Sequence, residues 1–282
     1  SMDTIVRRNS RKKIGGILFQ AFAVAVGLLV LFPIIYCCFV SFMKPNQIQS
    51  IPPTFFPREW PLENYGTVME TTTIGRFMLN SLIVAGVSSI IRLITASLAA
   101  FAFSFYQFKG RDALFMVCLG TVMIPSDVVL VTNYQTISRL HLVNTYVGMT
   151  CIFCVAAMNI FMMRQNFLTF SKTLQEAAYV DGCSNIRFFF KILLPTSTPV
   201  LTTVFISSFI STWNTYLWPM LVTNDPMMRT VQVGVTMLNN EDSNVYGPIM
   251  AASMMVLIPT VALFLIFRKK IVSGIMGGAI KG

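Results

Sequence analysis

Long apolar runs alternate with short polar intervals along the whole chain. A transmembrane helix needs about 20 apolar residues to cross a hydrocarbon core roughly 30 Å thick, and six runs come close to that length or exceed it. The polar intervals between them are too short for a soluble domain. The pattern therefore predicts an all-α, polytopic membrane protein with six transmembrane helices, at residues 16–43, 77–106, 113–133, 145–163, 192–222 and 246–267.

Positive charge is distributed unequally between the two sides that six spans would define. Fifteen of the 21 Lys and Arg residues fall in the N-terminal tail, near 109–111, between 164 and 191, and after 267, and five fall in the alternate intervals. Because cytoplasmic segments carry the excess of positive charge, both termini are predicted to be cytoplasmic. The net charge of +10 then reflects topology and attraction to an anionic inner leaflet, and no nucleic-acid partner is expected.

The spans and their orientation divide the chain into segments. Pro125, Pro199 and Pro259 predict kinks within three of the spans, and the outer intervals at 134–144 and 223–245 are predicted to be loops, the second facing a partner. The segments are a cytoplasmic tail at 1–15, a first transmembrane helix with an outer loop at 16–76, a transmembrane core at 77–267 containing a cytoplasmic loop at 171–191, and a cytoplasmic tail at 268–282.

Six cysteines lie in the spans and the cytoplasmic loop, where no disulfide framework is expected. Cys151 and Cys154 form a C-x-x-C pair, which could hold a metal or act in redox chemistry. A zinc site needs four ligands, yet the chain has no second such pair and His141 is its only histidine. We therefore interpret the cysteines as packing residues and expect no metal site.

The cytoplasmic loop contains the stretch EAAYVDG at 176–182, which is polar for so apolar a chain. Thr173 and Glu176 have the spacing of a capping box, and Gly182 suits a helix C-terminus. These signals predict a separately capped helix of about two turns. Ser184 is predicted to cap a second helix that runs into the membrane.

The short helix has two interpretations. It could be a plain connector lying on the lipid surface, but such helices favour large apolar residues and basic flanks. This helix instead carries Ala177, Ala178 and the carboxylates of Glu176 and Asp181, and small residues allow another surface to approach closely. We favour a docking helix.

The same loop resembles a known family motif. It contains Glu176-Ala177-Ala178, then three residues, Gly182, nine residues and Ile192-Leu193-Leu194-Pro195. This pattern is similar to the EAA loop of the membrane subunits of ABC importers. The resemblance implies the type I (MetI-like) permease fold and a coupling helix that fits a groove on a separate ATPase. The coupling residues would be Glu176, Ala177, Ala178, Asp181 and Gly182.

Further stretches resemble the smaller, six-span membrane subunit of maltose-type sugar importers. They are LNSLIV at 79–84, LAAFAFSFYQFKGR at 98–111, MIPSDVVLVTNYQ at 123–135, LVNTYVG at 142–148 and RTVQVGV at 229–235. The C-terminus, VSGIMGGAIKG, resembles that subunit's tail, which implies contact of Gly277, Gly278 and Lys281 with the ATPase. The implied protein is a carbohydrate-importer permease in a bacterial inner membrane. The implied partners are a homologous second permease, an ATP-binding subunit dimer, which would bind ATP and Mg, and an extracytoplasmic solute-binding protein.

The fifth apolar run is rich in hydroxyl side chains and is the predicted wall of the solute path. Ser211, Asn214 and Tyr216 are its candidate solute contacts, with Asn214 the foremost. Serine and threonine also serve as packing residues in membrane helices, and that interpretation stays open for each residue singly. The solute is predicted to be a sugar or oligosaccharide, with glycerol 3-phosphate or another polyol-like solute as the alternative.

A self-contained secondary transporter is the alternative from a different class. Such carriers place ionisable residues near the bilayer midplane, and the spans contain only Arg92 and Asp127. We favour a structural or topological role for both residues. The chain also lacks a complete phosphate-binding loop, since Gly277 and Gly278 precede Lys281 without the required glycine spacing, so no enzymatic activity is expected.

Overall fold

The computed structural model describes the backbone of residues 2–241 and 246–279, and the side chains of residues 16, 18–237 and 246–269. All the regular elements described are helices, which confirms the all-helical prediction. The α-helices are α1 (Met2–Val40), α2 (Pro45–Ile48), α3 (Glu63–Thr71), α4 (Ile74–Phe105), α5 (Arg111–Gly120), α6 (Leu130–Arg139), α7 (Tyr146–Thr150), α8 (Ala157–Leu168), α9 (Lys172–Val180), α10 (Asn185–Phe188), α11 (Leu194–Thr196), α12 (Thr198–Trp213), α13 (Leu217–Val222), α14 (Val231–Glu241) and α15 (Tyr246–Ala279). Turns of 3₁₀ helix occupy Thr121–Met123, Ser126–Val129, Cys151–Phe153 and Pro226–Met228, and a π-helical turn occupies Phe189–Leu193.

Three helices are long and apolar enough to cross a membrane unbroken, namely Leu18–Val40, Ile74–Phe105 and Tyr246–Lys269. Three more spans are possible if each of three bent helix pairs counts as one. The chain therefore has three to six candidate spans, and each predicted apolar run falls on one of them. The bent pairs are Arg111–Met123 with Ser126–Arg139 at 90°, Tyr146–Phe153 with Ala157–Leu168 at 48°, and Asn185–Thr196 with Thr198–Trp213 at 78°.

Proline accounts for two of the three bends. Pro125 directly precedes Ser126, and Ile124 before it is extended, as a residue that precedes proline prefers to be. Pro199 lies in the first turn of α12, a position that tolerates the missing N–H. The third bend, before Ala157, has no proline and was not predicted. Pro259, where a kink was predicted, lies inside the continuous helix α15.

Some predicted boundaries are wrong. The apolar pattern predicts a fifth span that reaches residue 222, but α12 ends at Trp213 and a separate helix, α13, follows it. Helix α13 is held against α7 by Trp218, which is buried and donates its Nε1 hydrogen to the Gly148 carbonyl at 3.2 Å. The outer intervals predicted as loops also contain helices, the end of α6 and α14.

The described chain forms two compact units, the first of which joins Ser1–Thr72 with Glu241–Met255. In this unit Asn64 donates two hydrogen bonds, to the carbonyls of Ser41 and Met43, each at 2.9 Å. A Cβ atom on Gly247 would lie 2.6 Å from Nδ2 of Asn64, so only glycine fits there. The amide thus fixes α3 against the end of the first span.

The second unit contains Thr73–Asn240 and Val256–Gly282. Helix α4 is central to it and packs along both α8 and α12. Small residues on α4 allow these helices to come close, and aromatic and aliphatic side chains fill the space around them. The buried cluster includes Ala96, Ala100, Phe101, Met163, Phe167, Ala178, Phe188, Leu193 and Val204.

Asn80, near the start of α4, fastens the segment that precedes α14. Its Nδ2 donates to the carbonyls of Met227 at 2.8 Å and Arg229 at 2.9 Å, and its Oδ1 accepts from the Tyr146 hydroxyl at 2.6 Å. The side chain is fully buried, so these partners replace water completely. The interaction joins three of the stretches that resemble maltose-type permeases, LNSLIV, LVNTYVG and RTVQVGV.

We expect Asn80→Leu to destabilise the protein by on the order of 2 to 4 kcal/mol, because it removes three hydrogen bonds made by a fully buried amide and leaves two carbonyls and a hydroxyl without that partner. The measurement is an SDS titration of the purified protein in mixed micelles. Asn166→Leu is the matched control, since Asn166 is half-buried on α8 and its side chain forms no hydrogen bond among the described residues. Equal destabilisation by the two substitutions would contradict the role assigned to Asn80.

Candidate functional site

A cavity of about 750 Å³ opens within the second unit. Its walls come from α4, the bent pair at Pro125, the break before α8, and the region where α12 gives way to α13. Ligand pockets commonly have volumes of roughly 300 to 1,000 Å³, so the cavity can hold a small solute. Its polar lining residues are Arg92, Thr121, Ser126, Asp127, Asn133, Ser211, Thr215 and Tyr216.

The helix breaks create the cavity and leave backbone groups that need partners. At the break before α8, Arg92 Nε donates to the Phe153 carbonyl at 2.6 Å, and Thr95 Oγ1 donates to the Cys154 carbonyl at 2.9 Å. Non-helical backbone is tolerated at membrane depth only where protein covers it or where it lines a cavity. Both conditions are met at this break.

The cavity contains one cationic and one anionic side chain. Arg92 is 8% exposed, whereas Asp127 is exposed in the turn after Pro125. Neither residue forms an ion pair within the part of the chain that the structure describes. The two charges therefore face the same space without neutralising each other directly.

Two of the three predicted solute contacts lie in the cavity. Ser211 and Tyr216 line it, but Asn214, the foremost candidate, does not. Asn214 directly follows the last residue of α12, and its Oδ1 accepts a hydrogen bond from Gln232 Nε2 at 3.3 Å. Sequence reasoning missed Thr121, Ser126 and Asn133, whose only signal was that they are polar residues within or beside an apolar run.

The predicted docking helix exists as α9, but its N-terminus differs from the prediction. Ser171, not Thr173, is the capping residue, and its Oγ accepts from the Leu174 amide at 3.5 Å. The capping box assigned to Thr173 and Glu176 is wrong because the helix already begins at Lys172. Ser184 caps α10 as predicted, accepting from the Arg187 amide at 3.3 Å.

The C-terminus of α9 confirms the prediction for Gly182. Gly182 has φ of +79° and donates to the Tyr179 carbonyl at 3.0 Å, and Cys183 donates to the Ala178 carbonyl at 2.9 Å. These two bonds form a Schellman motif, in which a left-handed glycine satisfies the last carbonyls of a helix. Both ends of α9 are therefore fixed by local interactions.

The five predicted coupling residues have different surroundings. Glu176, Ala177, Asp181 and Gly182 are exposed, whereas Ala178 is buried in the cluster around Phe188. The neighbouring Tyr179 ring lies 5.7 Å from the Phe188 ring, centroid to centroid. One side of α9 thus packs against the buried cluster of the second unit. Both carboxylates remain exposed, together with the apolar side chains of Leu174 and Val180 and of Ile186 on α10.

The remaining predicted sites are less defined. Gly277 and Gly278 lie in the backbone of α15, and Lys281 lies outside the described residues. Cys151 and Cys154 are free thiols. No group of three or more His, Cys, Asp or Glu side chains suited to a metal ion occurs among the residues that the structure describes.

Comparison with known proteins identifies the family. Residues 92–274 match the family described as binding-protein-dependent transport system inner membrane component. The chain belongs to this family. The permease is therefore a multi-pass inner-membrane subunit of an ABC importer, it works with a solute-binding protein, and its family is one of transporters rather than enzymes.

Several characterised relatives are similar to the permease over nearly their whole length. The arabinooligosaccharides transport system permease protein AraQ of Halalkalibacterium halodurans is 30% identical over 91% of this chain and 93% of the relative. The sn-glycerol-3-phosphate transport system permease protein UgpE of Yersinia pestis is 31% identical over 88% and 92%. A bacterial ABC transporter involved in the import of the acidic polysaccharide alginate has a chain with the same fold, with a TM-score of 0.79 and 22% identity over 91% of this chain and 96% of that one.

We expect Gly182→Ala to weaken the C-terminal end of α9 by about 1 kcal/mol, because an L-residue is strained at positive φ. Hydrogen exchange of the α9 amides measures the effect directly. Gly110→Ala is the matched control, since Gly110 has φ of +82° and an equally open environment, but lies at the start of α5. Unchanged exchange in α9 of the Gly182 variant would show that the glycine does not fix this end of the helix.

Proposed function

We propose that this permease spans the membrane six times with both termini in the cytoplasm, and that it forms one half of the translocation pathway of a carbohydrate importer. We assign the coupling to the ATPase to α9, because it is a short helix with fixed ends and exposed carboxylates. In this arrangement the bent pairs each count as one span, and the excess of Lys and Arg sets the orientation. The segments at 1–15 and 268–282 are then the cytoplasmic tails.

Helix α9 is the joint with the ATPase. Glu176, Ala177, Asp181 and Gly182 form the contact surface, and Ala178 holds the helix on the bundle through the Phe188 cluster. Because α9 and α10 pack on the same core that contacts α4, a displacement of α9 passes to the spans as a rigid-body movement. The chain itself supplies no chemistry. Two ATPase subunits bind ATP and Mg, and the C-terminal residues Gly277, Gly278 and Lys281 contact them.

The second half of the pathway is a homologous permease, and the solute arrives on an extracytoplasmic binding protein. Support for a carbohydrate comes from the relatives, named for arabinooligosaccharides and sn-glycerol 3-phosphate, and from the hydroxyl, amide and aromatic groups of the cavity. Ser211 and Tyr216 are the proposed solute contacts on α12 and the segment after it. Family membership disfavours a self-contained secondary transporter, which would need no binding protein.

We expect Glu176→Lys to reduce ATP-dependent uptake about tenfold or more without lowering the amount of protein in the membrane, because a reversed charge at the joint repels the surface that α9 contacts. Uptake and binding-protein-stimulated ATP hydrolysis are measured in proteoliposomes containing the complete importer. Glu70→Lys is the control, since Glu70 is an equally exposed glutamate on α3. Normal uptake by the Glu176 variant at equal membrane level would refute the coupling role of α9.

Purification in mild detergent from the native membrane tests the assembly independently. An ATPase, a second permease and a binding protein should be retained and identified by mass spectrometry. Recovery of the chain alone or as a homo-oligomer would contradict the proposed assembly, whatever the Glu176 variant shows.

A further inference from the structure

Arg92 lies in the middle of α4, the central helix of the second unit, and most of its side chain is buried there. Only its Nε hydrogen is used, in the bond to the Phe153 carbonyl. The two terminal guanidinium nitrogens have no hydrogen-bond or ion-pair partner among the described residues, and the side chain lines the cavity. The end of the guanidinium group is therefore available to a molecule in the cavity.

The bond to Phe153 does not by itself explain an arginine at this position. One helical turn further along α4, Thr95 donates a hydrogen bond to the Cys154 carbonyl from an uncharged hydroxyl. A charged side chain within a membrane span is costly unless it has a functional partner, so a neutral donor would serve Phe153 at lower cost. The positive charge needs a separate reason.

The surroundings of Arg92 match a solute with both an anionic group and hydroxyl groups. Its planar fork of donors suits the bidentate binding of a carboxylate or a phosphate. Ser211, Tyr216 and Asn133 in the same lining can exchange hydrogen bonds with hydroxyls, and Asp127 can accept them. Asp127 is exposed, so water screens its repulsion of an anion more than it screens the attraction of the buried Arg92.

We propose that Arg92 binds the anionic group of the transported solute, and that the cargo of this importer is an acidic carbohydrate, bearing either a carboxylate or a phosphate. This inference rests on the proposed function and specifies its substrate class. Arg92 is a specificity-determining residue in the pathway, and Asp127, Ser211 and Tyr216 receive the neighbouring hydroxyl groups.

The test uses the complete importer and its binding protein in proteoliposomes loaded with ATP. Three radiolabelled probes are supplied separately, a neutral arabinose trisaccharide, a uronic acid trisaccharide and sn-glycerol 3-phosphate. Import of one of the two anionic probes is expected, and which one is imported distinguishes a carboxylate from a phosphate cargo. Arg92→Gln should lower that import about tenfold or more while ATP hydrolysis stimulated by the binding protein stays at the wild-type level.

Two further variants keep the test decisive. Arg139→Gln removes an exposed arginine that does not line the cavity, and import should be unchanged. Arg92→Lys keeps the charge but loses the fork, so import of the anionic probe at saturating binding protein should fall at least about threefold. If Arg92→Gln does not assemble, the Lys variant decides, and an unchanged import rate would overturn the inference.

The remaining outcomes are also distinct. Three results overturn this inference and leave the proposed function standing. The first is import of only the neutral probe, and the second is import of an anionic probe that Arg92→Gln leaves unchanged. The third is stimulated ATP hydrolysis without import of either anionic probe. A wild-type importer that neither imports any probe nor hydrolyses ATP in response to the binding protein overturns the proposed function, and this inference with it.

Discussion

Backbone groups that leave a helix inside a membrane must find a partner, because lipid offers none. In this permease the continuous helix α4 supplies the donors for the segments that lack them. Asn80 satisfies two carbonyls next to α14, Arg92 satisfies one at the break before α8, and Thr95 satisfies the next. The interrupted helices can exist because one continuous helix carries the side chains that they need.

The same arrangement explains where the cavity lies. A bundle of straight apolar helices would pack closely and leave little polar surface inside. Here the breaks near Pro125 and before α8, with the end of α12 at Trp213, turn backbone and polar side chains toward a common space beside α4. The cover of the broken backbone and the lining of the cavity therefore depend on the same few residues, and Arg92 contributes to both.

The sequence predicts the long apolar helices well because hydropathy reports directly on lipid contact. Two bends were predictable from Pro125 and Pro199, but the bend before α8 depends on donors from α4, which are distant in sequence. Local spacing placed the cap of α9 at Thr173, although Ser171 two residues earlier forms it. Helical periodicity grouped Ala177 with Ala178, but only tertiary packing against Phe188 shows that one is buried and the other exposed. Asn214 is close in sequence to residues that line the cavity, yet it forms a hydrogen bond with Gln232, and neither of these two residues lines the cavity.

The ends of α9 have a consequence for how such importers can diversify. Ser171 and Gly182 fix the length of the helix from within the loop itself, and its attachment to the bundle depends on a few buried side chains. The exposed side can therefore change residue by residue without altering the fold of the spans. With α9 as the proposed contact to the ATPase, a permease built in this way can acquire a new motor subunit, or share one with other permeases, while the fold of its spans stays as it was.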